Sequence, residues 1–261
     1  MNHFKKYPKT VYTFGNEVSS NLFSDISVYS DMIDQVRNAV GTYQDYYIQS
    51  GERPDQVSQK LYDTPEYHWT FMLMNPKLRE CGWPLSEREV YKKAQRDYYH
   101  KVVTTKTSLQ DKFKVGQTVT GLSSGAVGEI GYRILDNGQI WFDNTIGNFI
   151  PGETATSIYR PDGNVAAITQ SIVIESVEDQ YNALHHYENS AGEWVDVDPA
   201  VGNTANYTEI TYLENLRRAN DDLKNIKVIR TGQIDVLAES FYEAINGWRK
   251  ILKNIILNLL Y

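Results

Sequence analysis

One cysteine, Cys81, stands in 261 residues. No disulfide can form within such a chain, and a reducing compartment during folding is expected. No dense run of lysine and arginine occurs, and the formal net charge is −7. That balance speaks against a broad electrostatic grip on nucleic acid or on an anionic membrane. No apolar run reaches the roughly 18 residues a membrane-crossing helix needs. The stretch Ile251 to Tyr261 is apolar but shorter, and Lys253, Asn254 and Asn258 interrupt it. Met1 to Phe14 has lysines but no apolar core, so no secretory signal is expected.

Chemistry-bearing patterns are also scarce. No H-E-x-x-H, Walker or Rossmann pattern occurs. His185 and His186 are adjacent; on a regular strand they point to opposite faces and make a poor chelate. His68 and His100 have no neighbours at ligand spacing, and Cys81, beside Gly82 and Trp83, has no nearby base and is expected to pack. Hydrolysis of a glycosidic bond needs two placed carboxylates. The nearest pairs, Glu52 with Asp55 and Glu87 with Glu89, fall at helix starts, where the helix dipole already favours acids. Gly121 to Gly131 is glycine-rich but lies among strands, not ahead of a helix, so it is no phosphate cradle. No catalytic residue, cofactor or metal site is expected.

What the chain does have is tyrosine, 19 of them, a residue suited to surfaces that are apolar and still hydrogen-bond. The opening reads as an extended arm, partly strand, and Asp31 to Gly41 as a short helix. Tyr46 to Gln49 suits a strand, Gly51 a turn, and Pro54 a first helical position, with Val57 and Leu61 on one face. Thr64 caps a second helix whose buried face is Trp69, Met72 and Leu73, and Asn75-Pro76 stops it. Ser86 and Glu89 open a third helix through Tyr98. From Leu109 to Val177 glycines punctuate short β-rich runs, with Asp136-Asn137-Gly138 as a hairpin turn; these five or six strands make a small barrel or sandwich. A polar loop is expected over Glu178 to Tyr207, a helix over Ile210 to Asn220, a strand over Ile226 to Ile229, and a long helix from Ile234 onward. That last helix carries a stripe of Ile234, Leu237, Phe241, Ile245, Trp248, Leu252, Ile255 and Leu259.

One block resembles a known family. Tyr47-Ile48, then Gly51-Glu52-Arg53-Pro54-Asp55, Leu61-Tyr62, Pro65-Glu66-Tyr67-His68-Trp69, Asn75 and Trp83-Pro84-Leu85-Ser86 follow in the order seen in the small baseplate wedge proteins of T-even-type contractile-tailed phages. Phe4, Tyr7-Pro8 and Asp25-Ile26 fit, as do Asn220 to Lys224 and Ile226 to Ile229. The likeness covers residues 1–100 well and 205–245 weakly. It implies a structural protein of the virion tail baseplate, assembled in the host cytoplasm. Its partners would be other wedge subunits, and hub and sheath-initiating proteins.

The resemblance also implies a LysM-like strand–helix–helix unit near 46–80, for which Gly51, Pro54, Leu61, Tyr62, Trp69, Asn75 and Trp83 are the structural motif. LysM is a glycan-binding fold, so the alternative function is a cell-wall glycan module with Glu52, Asp55, Tyr62 and Asn75 along a sugar groove. The expected class is α+β: a wedge-like segment 1–108, an inserted SH3-like barrel 109–177, and a loop and helical segment 178–261. Phe4, Tyr7, Trp248, Leu252, Ile255 and Leu259 are the expected partner-facing residues.

Overall fold

The computed structural model describes residues 7, 9–15, 21–24, 43–160, 166–197 and 204–243. The chain is mixed α and β and divides into two compact units: Met1–Ser86 with Asn220–Tyr261, and Glu87–Ala219. In the first unit, β1 (Lys9–Tyr12) and β2 (Asn21–Ser24) pair antiparallel. β3 (Tyr43–Tyr47) leads through a turn at Gly51, φ +84°, into α1 (Pro54–Tyr62). Local sequence dictates this helix. Pro54 opens it, Gln56 Oε1 accepts the Arg53 amide at 3.0 Å, Asp55 sits in the first turn and Lys60 in the last. Asp63 ends it in the left-handed region.

Thr64 Oγ1 then accepts the Glu66 amide and starts a 3-10 turn, Pro65–His68, which runs into α2 (Trp69–Met74). Asn75 ends α2 and Pro76 begins α3 (Pro76–Cys81). Cys81 is exposed, against the expectation that it packs: it is the last residue of α3, a short helix whose buried residue is Leu78.

The second unit opens with α4 (Glu87–Asp97). A seven-stranded antiparallel sheet follows, from β4 (Lys101–Thr104), β5 (Thr118–Gly121), β6 (Val127–Ile134), β7 (Gln139–Ile146), β8 (Thr154–Tyr159), β9 (Ile168–Val173) and β10 (Ser176–Asp179), in the order β10-β4-β7-β6-β5-β8-β9. β9 passes into β10 through Ile174, whose amide is held by Glu153 O at 2.9 Å, while the Glu175 amide turns to Thr104 O. One bent run of chain therefore pairs at both ends of the sheet and curls it around Val103, Val119, Ile130, Ile140, Phe142 and Ile172.

The segment expected as a polar loop holds two further strands, β11 (Leu184–Glu188) and β12 (Trp194–Val195). With β13 (Thr208–Thr211) they form a three-stranded sheet. Ile210 belongs to β13 and not to the helix expected there; the helix, α5, is Tyr212–Asp222. These strands are short and carry no apolar run, and the longer pairing of β11 is with β13, beyond β12 in the chain, so periodicity does not reveal them.

The chain then returns to the first unit as β14 (Asn225–Ile229), antiparallel to β3 with Asn225 opposite Tyr47, and a helix α6 over residues 234–243. Val57, Phe71, Leu73 and Leu78 from the N-terminal part share one core with Ile226, Val228, Ile234 and Phe241. Of the expected C-terminal stripe, Ile234 and Phe241 are buried and Leu237 partly so, all against this chain's own core.

The chain leaves the first unit after Ser86 and re-enters at Asn220. These two crossings are tied: the Leu85 amide donates to Asn220 Oδ1 at 2.7 Å, and Asn220 Nδ2 donates to Leu85 O at 3.0 Å. A short Gly/Ser linker in place of 87–219 therefore has little distance to close. Such a chain is expected to unfold cooperatively and keep its near-ultraviolet aromatic signal. Loss of cooperativity would show that the first unit cannot stand alone.

Candidate partner-binding surface

The β3–β14 ribbon is pinned to the helices by side chains standing in for backbone. Asn75 Nδ2 donates to Lys227 O at 2.9 Å, and the Lys227 amide donates to Asn75 Oδ1 at 2.9 Å. One side-chain amide thus occupies the place a third strand would take on the outer edge of β14. Tyr62 OH donates to Ile229 O at 2.8 Å; burial pushes its phenol up to about 12. Trp83 Nε1 donates to Glu52 O at 2.6 Å, and its ring lies against Phe71. Trp69 is buried against Phe241, ring centroids 4.5 Å apart.

The expected sugar-groove residues are engaged inside the unit. Glu52 accepts the Gln49 amide at 2.8 Å and the Tyr46 hydroxyl, and pairs with Lys60. Burial raises its pKa, but those three partners more than offset this and leave it below the ordinary carboxylate value. Asp55 pairs with Arg53.

Exposed apolar and aromatic surface lies elsewhere. The β1–β2 ribbon exposes Val11, Tyr12, Leu22 and Phe23, and β3 exposes Tyr43 and Tyr47. A cleft of about 480 Å³ is lined by Tyr43, Asp45, Asn75, Lys77, Asp222 and Lys227, among others. Of the expected partner-facing residues, Tyr7 is 1% exposed and sits in the core of the first unit. Phe4, Trp248, Leu252, Ile255 and Leu259 lie outside the described residues.

The two adjacent histidines do not diverge. The β11–β13 pairing slips register between Leu184 and His186. This irregularity breaks the strict alternation of faces and sets His185 Nδ1 2.8 Å from His186 Nδ1. His186 Nε2 meets Glu188 Oε1 at 3.2 Å, and Arg218 clamps both oxygens of Glu188. No group of three potential ligands suited to a metal occurs among the described residues.

Burial, and then the neighbouring His186, lower the His185 pKa. A lowered folded value means the unfolded chain binds the proton more readily. Stability from neutral His185 is therefore complete above about pH 6.5 and is lost as pH falls toward the folded value. Urea unfolding is expected to weaken over that window, by at most about 1.4 kcal/mol per pH unit, and His185→Gln should remove this component. An unchanged slope in the variant would show that His185 does not titrate there.

With this geometry in hand, the comparison with known families is decisive for the N-terminal part of the chain. Residues 6–120 match the family described as Base plate wedge protein 53. Over that stretch the chain is similar to phage baseplate wedge proteins. The expected resemblance is thereby shown, and the family it resembles suggests a structural role in the phage tail baseplate. No curated protein matches the chain. The wedge-family stretch holds β1–β4 and α1–α4 and ends within β5. β14 and α6, which complete the core of the first unit, lie beyond it. No helix among the described residues is long and apolar enough to cross a membrane.

Asn75 and Trp83, read from the sequence as motif residues, are brought together with β14 and with the β3–α1 turn. The sequence reading placed Asn220 and Lys227 in the family-like blocks without a role for either, and did not single out Asp45. An Asn just before a helix-opening proline and an Asn in a helix's last turn are weak local signals. Their roles exist only because β14 folds back onto β3.

Proposed function

We propose that this wedge-family protein joins neighbouring wedges of a contractile tail baseplate around the tail hub, as a scaffold and not a catalyst. The family match over residues 6–120 carries this reading. Other wedge subunits, and hub and sheath-initiating proteins, are its partners, met in the host cytoplasm before the virion is complete. Phe4 from the arm, and Trp248, Leu252, Ile255 and Leu259 from the C-terminal stripe, supply docking contacts; Tyr7, buried in the first unit's core, anchors the arm instead. The stretch 109–177 is an addition to the wedge-like segment 1–108, and 178–261 closes the chain. Phage lacking the protein should accumulate separate wedges in electron micrographs of infected cells. Complete baseplates without it would overturn the reading.

We read the first unit as LysM-like, and its support is the antiparallel pairing of β3 and β14 around α1, α2 and α3. The strand run bent at Ile174 supports an SH3-like reading of the curled sheet. Neither likeness brings glycan binding with it. Tyr62 is buried, Glu52 is paired, and Asn75 is spent on Lys227. Calorimetry with chitin oligomers is therefore expected to show no binding. Micromolar affinity that Tyr62→Phe leaves intact and Asp55→Ala removes would favour the glycan module instead.

A further inference from the structure

The β3–β14 ribbon has two edges of unequal character. The edge of β14 is closed by the Asn75 amide, which takes both polar groups of Lys227. Among the described residues the edge of β3 has no such cover. Among the described residues β3 pairs with β14 alone, and four of its five residues are exposed. The other backbone bond recorded on it is a long one, 3.4 Å, from Gln49 Nε2 to Tyr47 O. In an antiparallel pair every second residue points its N–H and C=O away from the partner strand, so β3 carries an unpaired row of donors and acceptors. Soluble proteins blunt such edges with charge, proline or bulges. β3, Tyr-Gln-Asp-Tyr-Tyr, has no proline, no lysine and an unbroken register over Tyr43–Tyr47, and its one charge is Asp45.

The side chains specify what could pair there. Residues two apart share a face, so Tyr43, Asp45 and Tyr47 form an aromatic–acid–aromatic row. Lys227, opposite Asp45, is committed elsewhere: its Nζ lies 4.3 Å from the Tyr43 ring centroid and 3.2 Å from the Tyr43 hydroxyl. That contact shows the kind of ligand these rings accept. Tyr47 is 53% exposed, with no cation over it among the described residues. Asp45 forms no ion pair there either, nor does Asp222 in the same cleft, which Lys77 enters from α3. A second copy pairing on this edge would bring Asp45 toward its own kind in a chain of net charge −7, which disfavours self-association.

We propose that β3 is an acceptor edge for strand addition: an extended segment of another baseplate subunit pairs with Tyr43–Tyr47. That segment presents an Arg or Lys, which lies across from Asp45 and against the Tyr47 ring. This rests on the wedge-joining reading and names the recognition chemistry of one of its contacts. Main-chain bonds supply the hold, and the Asp45–Tyr47 pair supplies the choice of partner.

The test uses the full chain, free and in purified virions. Amide hydrogen exchange over Tyr43–Tyr47 should slow at least tenfold in the virion. A photo-crosslinking residue in place of Tyr47 should capture a different subunit, within two residues of an Arg or Lys. Asp45 is exposed, so Asp45→Asn and Asp45→Lys should leave the melting temperature of the free chain unchanged. Incorporation into virions should fall modestly for Asn and at least tenfold for Lys. Equal exchange in the two states, crosslinking to a second copy of this chain, or wild-type incorporation of Asp45→Lys would each overturn the inference while leaving the baseplate reading in place. Absence of the chain from purified virions would overturn both.

Discussion

Phe71→Ala should destabilise the first unit by about 3–5 kcal/mol, a large part of the roughly 5–15 kcal/mol that holds a typical domain folded. Phe71 is fully buried where both halves of the unit meet. Its ring stacks near Tyr62 at 6.1 Å and lies 5.9 Å from Trp83. Tyr62 reaches β14 through Ile229, and Trp83 reaches the β3–α1 turn through Glu52. Removing the ring leaves a cavity between two anchors that cannot collapse without breaking their hydrogen bonds. Urea unfolding followed by near-ultraviolet circular dichroism would measure the loss. Phe71→Leu, which keeps most of the volume, should cost markedly less. Equal costs for Ala and Leu would show that lost aromatic contact matters more than the cavity.

The second large effect is expected at Glu153, a carboxylate 5% exposed with no cation beside it among the described residues. It is held by donors alone. Oε1 accepts the Ile150 amide at 2.7 Å and the Ser124 hydroxyl at 2.8 Å, and Oε2 accepts the amides of Ser123 and Ser124 at 3.1 and 2.9 Å. Two loops, after β5 and before β8, are thereby fixed to one side chain. Gly121 is required beside it, because a Cβ there would lie 2.7 Å from both carboxylate oxygens.

Glu153→Gln turns an NH₂ group toward backbone donors and should cost about 1.5–3 kcal/mol. Burial alone would raise the pKa of Glu153, but the four donors more than offset this and hold it below its ordinary 4.5. A depressed folded value means stability is present above the unfolded pKa and lost as pH falls through the folded one. Acid unfolding of the wild type should therefore show a carboxylate component below about pH 4.5 that the Gln variant lacks. If the variant keeps the same acid limb, Glu153 is not its source.

The elements that could be read from the sequence are those closed by neighbours a few residues away. Pro54 at the head of α1, Thr64 before its proline, Asn75-Pro76 between α2 and α3, and Gly138 at φ +62° in the β6–β7 turn all stand where local rules put them. The glycine-punctuated runs from Leu109 to Val177 became strands for the same reason. β11 and β12 were missed because their short runs, Leu184–Glu188 and Trp194–Val195, carry no clear alternation, and it is pairing with one another and with β13 that makes strands of them. The histidine pair was misread because strict alternation was assumed where the register slips.

By itself, then, the sequence determined the turns, the caps, the helix faces and the order of the wedge-family motif, since each depends on contacts within one or two turns of chain. The tertiary structure alone decided that β3 finds its partner in β14, that Tyr62 reaches a carbonyl 167 residues away, and that Asn75 closes one sheet edge while the other stays open. Loop closure adds only slowly to the cost as the chain lengthens. Local pattern therefore leaves the partner of a distant strand undetermined, and the packing of Val228, Ile226 and Phe71 into one core selects it.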